Sequence, residues 1–112
     1  MGAWGHQPKD NDTSEDDFAN VAAAAGNALD KFFRRSRPDA FERWERLGVL
    51  QLAMEGMPIV IAGAQDACKV ARDDIEELRK DKKWIASWKE PAKVTAALTA
   101  MARKIDAALE KM

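Results

Sequence analysis

Four stretches of this chain repeat apolar residues at alternating spacings of three and four, and that period leaves few choices of fold. An α-helix turns once about every 3.6 residues, so such residues stack on one face, whereas a half-buried strand would need strict alternation. The first stripe runs Phe18, Ala22, Ala25, Leu29 and Phe32, and the second Phe41, Trp44, Leu47, Leu50, Met54 and Met57. The third is Ile61, Ala64, Cys68, Ala71, Ile75 and Leu78, extending to Ile85. The fourth is Val94, Leu98, Met101, Ile105, Ala108 and Met112.

Residues that start and stop helices divide the stripes. Asp12 or Thr13 can cap the first helix, and Glu15, Asp16 and Asp17 complement the positive end of its dipole. Pro38 disfavours helical geometry at Arg37, and a second start follows with Ser36 as cap and Pro38 in the first turn. Gly56 before Pro58 reads as a stop, and Pro91 opens the last helix. Gly48 weakens the second helix by roughly 1 kcal/mol relative to Ala, which suits a place where a neighbouring helix comes close. The expected helices therefore span about 13–35, 38–56, 59–85 and 91–111, after an N-terminal loop over 1–12.

At 112 residues, 46% hydrophobic and 33% charged, the chain has the composition of one small domain that buries enough apolar surface to offset chain entropy. The pattern predicts an all-α protein: a single antiparallel bundle of about four helices with an ordered N-terminal loop. The net charge of −1 excludes strong global attraction to nucleic acid or anionic membrane. The single cysteine, Cys68, cannot form an internal bridge, which favours a reducing compartment. The uncharged run from Gly56 to Gln65 is about half of what a membrane-spanning helix needs. With no basic, apolar leader at its start, the chain reads as a cytoplasmic protein.

The opening Met1-Gly2-Ala3-Trp4-Gly5, followed by Pro8, by Asn11-Asp12 and by Phe18, resembles the start of a bacterial family catalogued as domain of unknown function 4259. Glu77-Leu78-Arg79-Lys80, leading through Trp84 and Trp88 into the last helix, is similar to that family's C-terminal region. Lys9 departs from the family, which usually carries an aromatic residue there. The resemblance implies a helical fold and a bacterial or phage origin, without a mechanism.

Chemistry-bearing residues are sparse. His6, Asp10 and Asp12 are acceptable metal ligands in type, but the chain has no second histidine and Asp12 serves as a helix cap, so no metal or other cofactor is expected. Cys68 falls on an apolar stripe, where a thiol behaves as a small hydrophobe, and no phosphate loop or nucleophile elbow occurs, so no enzyme is expected. Lys31, Phe33, Arg34, Arg35 and Arg37 form the strongest basic patch, with an aromatic residue among the cations that could stack on a base, although cations at a helix C-terminus also offset its dipole. Asp10, Glu15, Asp16 and Asp17 form an acidic group suited to a basic partner. Trp84 and Trp88, flanked by Lys82, Lys83 and Lys89, either seal one end of the bundle or present a contact hot spot.

Together these features point to a non-catalytic module that binds another protein through Asp10, Glu15, Asp16, Asp17, Trp84 and Trp88, of the kind that acts as an inhibitor or immunity factor. The alternative is nucleic-acid binding through Lys31, Phe33, Arg34, Arg35 and Arg37. The regular fourth stripe leaves homodimerisation open.

Overall fold

A computed structural model describes residues 12–34 and 38–112, with the side chains of the first helix from Ala19 onward. Among these residues there is no strand, and the chain is all-α. Helix α1 spans Asp12–Phe33, α2 Ala40–Gly56, α3 Pro58–Ile61, α4 Gln65–Lys80, α5 Lys82–Ala86 and α6 Pro91–Glu110. The expected loop over 1–12 and the expected cap Ser36 lie, but for Asp12, outside the described residues; Asp12 already belongs to α1.

The stretch 59–85 reads as one helix by period but forms three. A turn at Ala62 and Gly63 separates α3 from α4, and Asp81 separates α4 from α5. Asp81 does two jobs, since its N–H closes α4 on the Leu78 carbonyl while its carboxylate accepts the Trp84 N–H at 3.0 Å and starts α5. The second start is also corrected. Asp39 caps α2 by accepting the Glu42 N–H at 2.8 Å, so Pro38 stands before the cap rather than in the first turn. Gly56 ends α2 as expected, with Met57 N–H donating back to Ala53.

Helix α4 is the centre of the molecule, and α1, α2 and α6 all pack against it. Its stripe Cys68, Ala71, Ile75 and Leu78 is fully buried, as expected from the spacing, and Ala67 is buried beside it. Opposite it stand Leu47 and Leu50 of α2, Leu29 and Phe33 of α1, and Val94, Leu98, Met101 and Ile105 of α6. Large side chains buried in this way contribute roughly 1.5–3 kcal/mol each before chain entropy is subtracted. Phe41 and Met57, at the two ends of the second stripe, are instead exposed.

Polar contacts fix how these helices meet. The ion pair Arg46–Asp74 ties α2 to α4, and the contacts of Arg72 with Asp106 and of Arg79 with Thr99 make α6 run opposite to α4. Helix α1 runs in the same direction as α4: Gly26 faces Gly63, and one turn on Asp30 accepts the Ala67 N–H at 2.8 Å. A Cβ at Gly26 would lie 2.8 Å from the Gly63 carbonyl carbon, so the close backbone approach expected at Gly48 occurs here instead. Nothing lies within 4 Å of a Cβ built at Gly48. Asp30 meanwhile supplies the first turn of α4 with a cap that its own N-cap residue, Ala64, cannot provide.

Inside the contact of α1, α2 and α4 sits a buried ionic clasp. Arg46 donates from Nε and Nη2 to the two oxygens of Asp74 at 2.5 and 2.6 Å, and from Nη1 to the Phe33 carbonyl at 3.2 Å. Its guanidinium also lies 5.3 Å from the centre of the Phe33 ring, so one side chain closes the C-terminal end of α1 and ties α2 to α4. Arg43 adds charge from 3.4 Å, although its buried Nε has no hydrogen-bond partner.

Candidate interaction surface

The tryptophans converge on one corner. Trp44 of α2 lies 5.6 Å from Trp84 and 5.3 Å from Trp88 between ring centres, and Trp84 and Trp88 meet edge to face at 5.7 Å. Each such pair contributes about 0.5–1.5 kcal/mol beyond area burial, so the corner is a built element. The Asp81 cap positions Trp84, and the Ser87 hydroxyl, donating to the Trp84 carbonyl, helps end α5. Trp88 therefore lies in the bend after α5, and the two rings meet across a helix-to-loop corner. All three rings are half-buried, with one part against the core and the other open.

Around this corner the chain is basic. Lys82, Lys83, Lys89 and Lys93 are exposed, and only Lys93 has an ion-pair partner among the described residues, Glu90 at 3.2 Å. The corner also opens into a furrow. Helices α2 and α6 both pack on α4 but hardly touch each other, which leaves three concavities in line along their seam. The first, of about 310 Å³, lies against Trp44, Trp88, Lys93 and Ala97. The second, of about 160 Å³, is lined by Trp44, Leu47, Gly48, Gln51, Ala97, Leu98 and Met101. One turn further along both helices, about 390 Å³ opens between Met54, Pro58 and Ile61 on one side and Lys104, Ala108 and Lys111 on the other.

The opposite flank of α6 is closed by charge. Arg72 bridges Glu76 and Asp106, and Arg79 reaches Glu76 and the Thr99 hydroxyl. The hydrogen bond from Arg72, followed by the nearby charge of Arg79, holds the Glu76 carboxyl below its ordinary range, while the bond to Glu76 raises Arg72. These groups are partly exposed, so the bridges orient α6 more than they stabilise it.

The expected binding residues fare differently. Asp10, Arg35 and Arg37 lie outside the described residues, as do the side chains of Glu15, Asp16 and Asp17, whose backbone belongs to the first turns of α1. Phe33, read as a candidate stacking residue, is 2% exposed and held under Arg46, so it cannot meet a base; Phe32 is the half-buried one. Arg34 is exposed but paired with Asp66 at 3.1 Å, and Lys31 is exposed at the last turn of α1. The basic patch is thus not assembled as a stacking surface among the described residues. Trp84 and Trp88 do come together, with Trp44 as a third member that the second stripe had assigned to the core.

Catalytic and metal-binding arrangements can be judged for the same residues. Cys68 is fully buried, and burial, followed by the charge of Asp30, pushes its thiol up to about 11, leaving a protonated, shielded sulfur at neutral pH. No three His, Cys, Asp or Glu side chains converge among the described residues. No helix among them is long and apolar enough to cross a membrane. Comparison of the chain with protein-family models, curated proteins and solved structures gave no match.

Proposed function

We propose that this chain is a non-catalytic protein-binding module, an inhibitor or immunity-type protein of bacterial or phage origin that masks a partner's surface in the cytoplasm. The observation that carries this reading is the half-buried corner of Trp44, Trp84 and Trp88, continuous with the open seam between α2 and α6. Tryptophan is among the residues enriched at binding hot spots, and it adds large, rigid contact area at low entropic cost. The scaffold we infer is a bundle of the four long helices in which α2 and α6 run antiparallel to α4 while α1 runs alongside it, and the opening residues tie the chain to the family of unknown function that they resemble.

The test is affinity capture from the source cell with the full chain, compared with Trp88→Ala and with a double charge reversal at Asp16 and Asp17. A captured protein lost with Trp88→Ala supports the corner as the contact, whereas one lost only on charge reversal moves the contact to the acidic first turns of α1. Binding kept by both variants excludes both surfaces. A species that dissociates steeply with salt and contains nucleic acid would favour the basic alternative.

A further inference from the structure

We propose that the seam between α2 and α6 binds an amphipathic α-helix of another protein, with its apolar face in the furrow and acidic residues along the flank that meets α6. The proposal rests on the protein-binding reading and adds the chemistry of the partner.

Three features of the seam select that occupant. The first is shape. Lys93, Ala97, Met101, Lys104, Ala108 and Lys111 recur at spacings of four, four, three, four and three, so α6 presents them as one stripe about 27 Å long at about 1.5 Å per residue. That length matches about five turns of a docked helix, and small residues, Ala97 facing Gly48 on α2 and Ala108 near Met54, let a helix approach closely. The second is apolarity: Met54, Pro58, Ala97 and Ala108 line the furrow with exposed or half-buried apolar surface over a buried floor of Leu47, Leu98 and Met101, the kind of surface that takes residues at i, i+3, i+4 and i+7 of an amphipathic helix.

The third feature is charge. Lys89, Lys104 and Lys111 line the furrow without an ion-pair partner among the described residues, while Glu90, the one acid lining it, is already engaged by Lys93. Unpaired lysines rimming an apolar furrow attract a helix with an acidic flank and repel one with a basic flank, so the rim sets both partner choice and orientation.

The experiment uses the full chain and two designed peptides of about 18 residues with the same leucine face, one carrying glutamate and the other lysine along one flank. The glutamate peptide is expected to bind, with affinity that falls as salt rises, and the lysine peptide is not. Ala97→Trp, which fills the middle concavity from an exposed position, should weaken binding at least about tenfold, with the fold checked by circular dichroism. Lys104→Glu combined with Lys111→Glu should do the same for the glutamate peptide and restore the lysine peptide. Equal binding of both peptides, no binding of either, or binding insensitive to Ala97→Trp overturns the proposal. Sedimentation of the chain alone forms a second arm, and a dimer dissolved by Ala97→Trp would make the occupant a second copy and also overturn it. Failure of the peptides leaves capture through Trp88 intact, while failure of capture with peptides still bound would count against the broader reading alone.

Discussion

Helix α2 has two flanks that solve opposite problems. Toward α1 and α4 it sends Arg46 into a buried clasp, beside a place where Gly26 and Gly63 bring two backbones into contact and Asp30 caps a neighbouring helix. Toward α6 it offers Trp44, Leu47, Gly48 and Gln51 to a furrow in which α6 does not close on it. On the first flank the buried polar groups have partners except the Arg43 Nε, whereas on the second Lys89, Lys104 and Lys111 stand unpaired around apolar surface. The first flank joins helices through paired buried groups, and the second leaves apolar surface and charge uncovered.

The largest expected effect breaks the closed flank. Asp74→Ala leaves Arg46 and Arg43 without their buried counter-charge, and removal of one partner from such a pair costs about 3–5 kcal/mol. Urea denaturation should report that loss, and a double change of Arg46→Met with Asp74→Leu should recover much of it, since the apolar pair has no desolvation penalty. A loss below about 1 kcal/mol in the single variant would mean that water reaches the clasp and that the two flanks differ less than their geometry implies.

A smaller effect is expected where the backbones meet. Gly26→Ala would gain about 1 kcal/mol from helix propensity, but its Cβ would press on Gly63 backbone atoms at 2.8 to 3.1 Å, and backbone cannot turn aside as a flexible side chain can. Overpacking of this kind costs about 1–3 kcal/mol, so the variant should melt earlier than the parent. Asp30→Ala should follow at about 1 kcal/mol, the usual value of a lost helix cap, because the Ala67 N–H would lose its acceptor. Hydrogen exchange should then quicken at the first turn of α4, and unchanged protection there would show that water replaces the carboxylate without loss.

The two flanks also differ in how far they could be read from sequence. The stripes were legible because burial imposes the helical period directly, and Cys68, Ile75, Leu98 and Ile105 are all buried as that period requires. The break at Gly63 was not, because the spacing of three from Ile61 to Ala64 passes through it, and at Asp81 the stripe resumes in phase, seven residues from Leu78 to Ile85, although the apolar position between them is missing. Asp81 nevertheless carried a signal, a carboxylate three residues before the N–H it caps. The Asp74 half of the clasp had one too, since Asp74 falls three after Ala71 and four before Leu78, inside the buried stripe, where a charge demands a partner. Its partner could not be named, because pairing across 28 residues depends on the fold. The Asp30 cap, 37 residues from the helix it serves, was hidden for the same reason. Of the candidate surface, the pairing of Trp84 with Trp88 was legible from their spacing, but the open seam was not, because a void between helices leaves no mark on the period of either.

The smallest effect sharpens the open flank. Gly48 sits in the interior of α2 facing the furrow, and an added Cβ there would meet nothing within 4 Å. Gly48→Ala should therefore gain the helix-propensity difference of about 0.8–1 kcal/mol with no clash to offset it, the opposite sign from the same substitution at Gly26. Thermal denaturation of the two variants side by side checks this, since the contrast depends on α6 standing away from α2 and not on any property of alanine. Equal destabilisation at both positions would mean that the seam is closed in solution, and the furrow would then have no room for a docked helix.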